Sequence, residues 1–269
     1  MPPYGRMGAP DVAKLQAEGN VEGLIQALGH EEDATIHRAA EEALLEIGAR
    51  AVAPLLRALR KAHRDLRPAI SAALEKMGED VVQPLLFHFE QQEVTVHDFS
   101  SAGYILDIGG GGEGVIGKLK GEQVIAIDRS KRELEEAPVG PLKVIMDARD
   151  LQFLDGTFHV VTSFFSLMYM NGSDHAKVFS EVFRVLVPGG RFLIWDVMLP
   201  QCLASDKEIA VFPLLVKLPN EEITAGYGTL WPERDQDPSY YVRLADNAGF
   251  NIITQTDKDR TFFLELQKP

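Results

Sequence analysis

Three aspartates and one glycine run are placed where they could hold an adenosine compound. The stretch "YILDIGGGGEGVIGKL", Tyr104 to Leu119, carries Asp107 and then Gly109, Gly110, Gly111, Gly112 and Gly114 between two apolar segments. Glycine costs folding free energy unless the backbone must turn sharply or let another group approach closely. Asp128 ends the next apolar run, "QVIAID", 21 residues beyond Asp107. That is the place and distance for a carboxylate that accepts hydrogen bonds from ribose hydroxyls. Asp147 ends a third run, "LKVIMD", with Ala148 next, where a carboxylate can accept from an adenine amine. The glycine turn alone leaves NAD, FAD, another adenosine compound or a mere sharp turn open.

These groups need strands that end at one place and helices that return the chain. Five short apolar runs answer to that: "YILDIG", "QVIAIDRS", "LKVIMDARD", "FHVVTSFFSLMYM" and "GRFLIWDVM". Between the last two, Ser173–Leu186 places Val178, Phe179, Val182, Phe183 and Leu186 on one helical stripe, with Ser173 and the acid after it in the N-cap region. "VPGG" after it reads as a stop and turn. Strands alternating with helices imply a parallel sheet, with ligands beyond the carboxyl ends of its strands. Lys207–Trp231 interrupts the alternation and reads as an added hairpin turning at "KLPNEE"; its Tyr227 and Trp231 either line a substrate pocket or pack the hairpin down. Pro238–Phe250 reads as a helix ended by Gly249, followed by strands "NIITQTD" and "TFFLELQ".

Together, "ILDIGGGGEG", "VIAIDRS", "IMDARDLQF", "FHVVTSFFSLMYM" and "VFRVLVPGGRFLIWD" resemble the Rossmann-like (class I) S-adenosylmethionine-dependent methyltransferases, strongly over Tyr104–Pro200. The resemblance implies a seven-stranded sheet with its final strand antiparallel and S-adenosyl-L-methionine as cofactor. It places Asp107 and the backbone of Gly109, Gly110 and Gly111 against the methionine part, Asp128 on the ribose and Arg129 beside the adenine. It places Asp147 and Ala148 at the adenine edge, and Ser163 and Phe164 near the sulfonium. Glu113 departs from it, standing where the family carries a third glycine. A carboxylate there is expected to point away from the cofactor or to cap the next helix, where negative charge is favoured.

The front third differs. "IGARAVAPLLRAL" (Ile47–Leu59) aligns with "MGEDVVQPLLFHF" (Met77–Phe89) at an offset of 30, and "HRAAEEALLEIG" (His37–Gly48) with "RPAISAALEKMG" (Arg67–Gly78). A weaker copy around Val21–Leu28 precedes them. Each copy reads as two amphipathic helices joined at a glycine, with Ala40, Ala43, Leu44 and Ile47 on one face and Pro54 and Pro84 near the start of the second helix. Such hairpins must stack to bury their stripes. The pattern resembles HEAT-like repeats of the phycobilin-lyase type over Asp11–Gln91.

The expected fold class is therefore α/β, a Rossmann-like seven-stranded methyltransferase sheet preceded by a small all-α helical-repeat domain. Residues 1–91 form the repeat domain and 92–269 the cofactor domain. The expected function is methyl transfer from S-adenosyl-L-methionine to a small molecule or protein, with the repeat as docking or assembly module. The alternative is a protein-interaction scaffold whose second domain binds cofactor without turnover. Methyl transfer from a sulfonium chiefly needs alignment in a dry site, and a base only when the nucleophile must lose a proton early. His97, Asp98, Tyr169 and Asp196 are candidates, and the catalytic residue stays unassigned.

Composition narrows the partners. The chain has 269 residues and a formal net charge of −13, with no basic run to meet a phosphate backbone, so no nucleic acid partner is expected. No apolar stretch spans a bilayer and "MPPYGRMGAP" has no signal core, so a cytoplasmic chain with no membrane partner is expected. Cys202 is the single cysteine, which excludes an intrachain disulfide and a cysteine-based cytosine C5 chemistry at the expected motif. There is no Asn/Asp-Pro-Pro-Tyr after the fourth run, and His63, His88 and His97 lack metal-site spacing, so no metal is expected.

Overall fold

The computed structural model describes residues 10–29, 33–61, 66–201, 207–232 and 235–269. His63, Cys202 and most of the N-terminal segment lie outside the described residues. The chain divides into two compact units, Met1–Phe87 with Ala204–Ala210, and His88–Leu203 with Val211–Pro269.

The first unit holds helices α1 (Val12–Ala17), α2 (Val21–Ala27), α3 (Ala34–Ile47), α4 (Ala49–Lys61), α5 (Leu66–Met77) and α6 (Glu79–Val82). Asp11, Asn20 and Asp33 cap the first three through side-chain oxygens that accept backbone N–H bonds. Gly48 closes α3 at φ 64°. Odd-numbered helices pack against one another in one layer and even-numbered helices in a second, which buries Leu24, Leu44, Leu55 and Ile70 completely. Two details differ from the sequence reading. Pro54 sits inside α4, in its second turn. Pro84 falls in a 3-10 turn, Gln83–Leu85, after α6 has ended, so the last copy has only a four-residue second helix.

Strand β1 (Leu86–His88) and the first two residues of β8 (Ile209–Lys217) lie at the division between the units, and the remaining elements belong to the second. They are β2 (Gln92–Thr95), β3 (Ile105–Ile108), α7 (Val115–Lys120), β4 (Val124–Asp128), α8 (Lys131–Glu136), β5 (Leu142–Ile145), β6 (Phe158–Phe164), α9 (Gly172–Val185), β7 (Leu186–Val197), β8 (Ile209–Lys217), β9 (Glu222–Leu230), α10 (Pro238–Ala248), β10 (Asn251–Lys258) and β11 (Thr261–Gln267). The main sheet has seven strands in the order β10-β11-β7-β6-β3-β4-β5. The β3–β4, β3–β6, β4–β5 and β6–β7 pairs are parallel, and β11 lies antiparallel to both β7 and β10. Every residue of β3 is buried, as a central parallel strand covered on both faces requires.

Helices α9 and α10 bring Val178, Phe179, Val182 and Tyr241 onto Phe158, Phe192, Phe262 and Leu264 of the sheet, and Phe250 joins the same core. Phe179 meets Phe192 edge-on at 5.5 Å. Each large side chain so buried contributes about 2–3 kcal/mol. Helix α9 starts earlier than Ser173 suggests: Asn171 is its cap, and its Oδ1 accepts from the Asp174 amide at 3.1 Å. "VPGG" lies within β7 as a bulge, because the register steps from Phe158↔Leu186 to Val160↔Arg191, and Gly189 turns at φ 76°. Gly249 ends α10 at φ 95°. The added hairpin is present as β8 and β9, joined by residues 218–221, and β2 runs parallel to β8.

Candidate functional site

The carboxyl ends of β3, β4 and β6 bring the glycine loop, Asp107 and Asp128 together. Gly109 and Gly110 both donate to the Ile127 carbonyl, at 2.9 and 3.1 Å, which folds the loop back over β4. Gly112 donates to Glu133 O at 2.8 Å and Gly114 to Gly111 O at 3.1 Å. Among the loop amides, those of Gly111 and Glu113 make no such bond among the described residues.

Two glycines are dictated by packing. Gly109 has φ 71°, and a Cβ there would lie 2.3 Å from Ser166 Cβ. A Cβ on Gly110 would lie 2.7 Å from Asp107 Oδ2 and 2.9 Å from Ala126 Cβ. Ser166 is a residue the sequence reading missed. Its hydroxyl donates to Ile108 O at 2.9 Å, which leaves Ser163 Oγ as the donor to Ser166 at 2.8 Å. Ser163 is thus fully buried with its hydroxyl spent on supporting the loop.

Asp107 is buried and accepts from Thr162 Oγ1 at 2.7 Å through Oδ1. Burial pushes its pKa up to about 7; the Thr162 bond works against this and the Asp128 charge adds to it. Asp128 accepts from the Ser130 amide at 2.7 Å, and its Oδ2 faces Gly111. Glu133 lines the far side of the loop, and its pKa is raised by burial and then by the carboxylates of Asp128, Glu136 and Glu113.

Asp147 lies just past β5 and is engaged by a guanidinium. Arg149 Nε donates to Oδ1 at 2.9 Å and Nη2 to Oδ2 at 2.6 Å, while Arg129 Nε stands 3.5 Å from Oδ2. Partial burial opposes ionisation of Asp147, but the Arg149 hydrogen bonds and charge hold its pKa below the ordinary value. Ala148 is packed into the core beside it.

Beyond β6 the wall is aromatic. Phe164 packs at 4.9 Å from Phe165 and 6.3 Å from Trp195. Phe165 has φ 47°, a conformation costly for a bulky side chain, which marks the end of β6 as a strained point. Tyr227 of β9 lies over Phe165 at 5.3 Å and donates its hydroxyl to Glu113 Oε2 at 3.1 Å. Of the two roles expected of Glu113, pointing away from the cofactor or capping the next helix, the cap is not made: Gly114 precedes α7 at φ 52° with no side-chain cap. Trp231 is elsewhere, edge-on to Phe89 at 6.1 Å.

The candidate bases separate. Asp98 is exposed and bonded to Lys120, at the far end of α7 from the glycine loop. His97 is exposed beyond β2. Asp196 is fully buried; it accepts from the Val197 and Met168 amides at 2.8 and 3.1 Å, and burial pushes its pKa up to about 7. Its carboxylate is spent on the turn Leu167–Tyr169. Tyr169 is 40% exposed as a residue, and desolvation of its hydroxyl followed by the Asp196 charge raises its pKa.

The loop amides, the two strand-end carboxylates and the aromatic wall meet on the stretch that also has relatives. Residues 106–194 match the family described as "Methyltransferase domain". A ubiquinone/menaquinone biosynthesis C-methyltransferase of Desulfotalea psychrophila is 40% identical over 83 residues, 29% of this chain and 33% of that protein. An O-methyltransferase of Aspergillus sclerotiorum is 32% identical over 141 residues, 48% of this chain and 53% of that one. The chain thus spans between a third and about half the length of these curated relatives. A solved SAM-dependent methyltransferase of Methanosarcina mazei superposes over 63% of this chain and 94% of its own at 19% identity, with a TM-score of 0.45. Among the described residues, no group of histidine, cysteine and carboxylate side chains could hold a metal ion, and no helix is long and apolar enough to cross a membrane.

Proposed function

We propose that this chain is an S-adenosyl-L-methionine-dependent methyltransferase acting on a small-molecule acceptor. The observation that carries the reading is the methyltransferase-domain match over residues 106–194, which takes in Asp107, the glycine loop, Asp128 and the end of β6. The residues fit the cofactor's chemistry. Asp107 Oδ2 is turned to the loop while Oδ1 accepts from Thr162, the Gly111 and Glu113 amides have no backbone partner among the described residues, and added side chains at Gly109–Gly111 would fill the loop. Asp107 and the backbone of Gly109, Gly110 and Gly111 would hold the methionine part, and Asp128 the ribose. Arg129, Asp147 and Ala148 would border the adenine, with Arg149 keeping Asp147 ionised. Ser163 would act through Ser166 by supporting the loop, and Phe164 would help exclude water.

When bound, the cofactor supplies an electrophilic methyl group on a good leaving group. The chain's task is then to orient the acceptor and keep the site dry. The relatives named above are a C-methyltransferase of ubiquinone/menaquinone biosynthesis and an O-methyltransferase, which favours a small molecule as acceptor. We assign the methyltransferase domain to 92–269 and a helical-repeat domain to 1–91, with the repeat as a docking or assembly module. Titration calorimetry with S-adenosylhomocysteine tests the reading: one site per chain is expected, weakened at least about tenfold in Asp128→Ala. No binding by the intact protein overturns it.

A further inference from the structure

We infer that Glu113 and Tyr227 are positioning residues that lock the β8–β9 hairpin onto the glycine loop, making the hairpin the acceptor-side wall of the site. The inference rests on the cofactor reading above. It starts from the departure at Glu113, a carboxylate placed in a loop otherwise built of glycine. The Tyr227 hydroxyl, 114 residues away in sequence, donates to Glu113 Oε2 at 3.1 Å. Burial, then the neighbouring Glu113 charge, raises the Tyr227 pKa far above its ordinary value, so the phenol keeps its proton and remains a donor.

The hairpin touches both segments that flank the strand ends. On the loop side, Lys118 Nζ of α7 pairs with Glu221 Oε2 at 3.1 Å. On the β6 side, Thr229 Oγ1 donates to Met168 O at 3.3 Å. The Tyr227 ring completes the wall over Phe165 and Phe164, at 5.3 and 6.5 Å. The two loop amides without a backbone partner among the described residues belong to Gly111 and to Glu113 itself. A ligand group that engages them orders the Glu113 backbone, and the hydrogen bond passes that order to Tyr227 and the hairpin.

The test is hydrogen exchange of the full chain with and without saturating S-adenosylhomocysteine, saturation being set by calorimetry for each variant. In the wild type, the ligand is expected to slow amide exchange in residues 222–230 by about fivefold or more. Tyr227→Phe is expected to bind the ligand within about threefold of wild type and to protect the glycine loop, yet lose the hairpin protection. Glu113→Gln keeps an acceptor oxygen for Tyr227 and is expected to retain the protection, whereas Glu113→Ala loses it. Thermal midpoints of all variants identify any general loss of fold. Wild-type protection in Tyr227→Phe, or ligand binding without hairpin protection in the wild type, overturns the inference and leaves the cofactor reading intact. Absence of ligand binding in the wild type overturns both.

Discussion

Thr162 donates its hydroxyl to Oδ1 of Asp107 at 2.7 Å, and the same two residues are register partners across the parallel β3–β6 pair. Strand pairing therefore sets the carboxylate's geometry. Thr162→Val keeps the shape and removes the donor, leaving a buried acceptor unpaired. A loss of about 1–3 kcal/mol of stability is expected in urea unfolding. An unchanged midpoint would mean that the bond contributes nothing net.

The buried Asp107 makes stability depend on pH. Its folded pKa is raised from 3.8 to about 7, chiefly by burial. The folded state thus holds a proton that the unfolded chain releases above about pH 4. Stability from this group is full below that pH and is lost as pH rises through about 7, by an amount on the order of 4 kcal/mol at the limit. Asp196 acts in the same direction. Unfolding free energies measured between about pH 5 and 8 should fall with rising pH, less steeply in Asp107→Asn. A slope unchanged by the substitution would assign the dependence to other groups.

Asp196 is expected to be structural. Asp196→Asn turns an NH2 toward one of the backbone amides that the carboxylate now accepts from. About 1–3 kcal/mol of stability should be lost, and thermal unfolding measures it. If methyl transfer disappears while the unfolding midpoint stays put, the carboxylate serves the acceptor instead.

Two glycine substitutions separate packing from backbone strain. A methyl on Gly110 would strike Asp107 Oδ2 and Ala126, whereas a methyl on Gly121, at φ 55°, would meet nothing within 4 Å. Gly110→Ala should cost about 1–3 kcal/mol by overpacking and weaken S-adenosylhomocysteine binding. Gly121→Ala should cost about 1–2 kcal/mol from its left-handed backbone alone, with the binding isotherm unchanged. Equal effects on binding would contradict this division.

Much of the second unit was legible because its signals are local. Apolar runs ending in Asp107 and Asp128 mark strands whose last residues must emerge at one edge. Gly249 marks a helix end, and "KLPNEE" marks a hairpin. Signals were misread where one local rule competed with another. "VPGG" does follow the end of α9, yet β7 absorbs its turn residues as a bulge because strand pairing resumes at Arg191. Asn171 outcompetes Ser173 as cap because its carbonyl oxygen reaches the Asp174 amide. Asp98 was a candidate base, but it precedes β3, so it lies with Lys120 at the end of α7 away from the loop.

What the sequence alone determined is the order of strands and helices from β3 onward and the identity of the carboxylates and glycines at the strand ends. Periodicity and turn chemistry act over a few residues, and that range suffices for these features. Only the tertiary structure decided that Ser166 lies where a Gly109 side chain would go, that Phe165 takes a left-handed backbone, and that Tyr227 reaches Glu113. The last contact joins residues 114 positions apart. Such partners are chosen by how the hairpin closes over the sheet, a global packing outcome that no short stretch of sequence encodes.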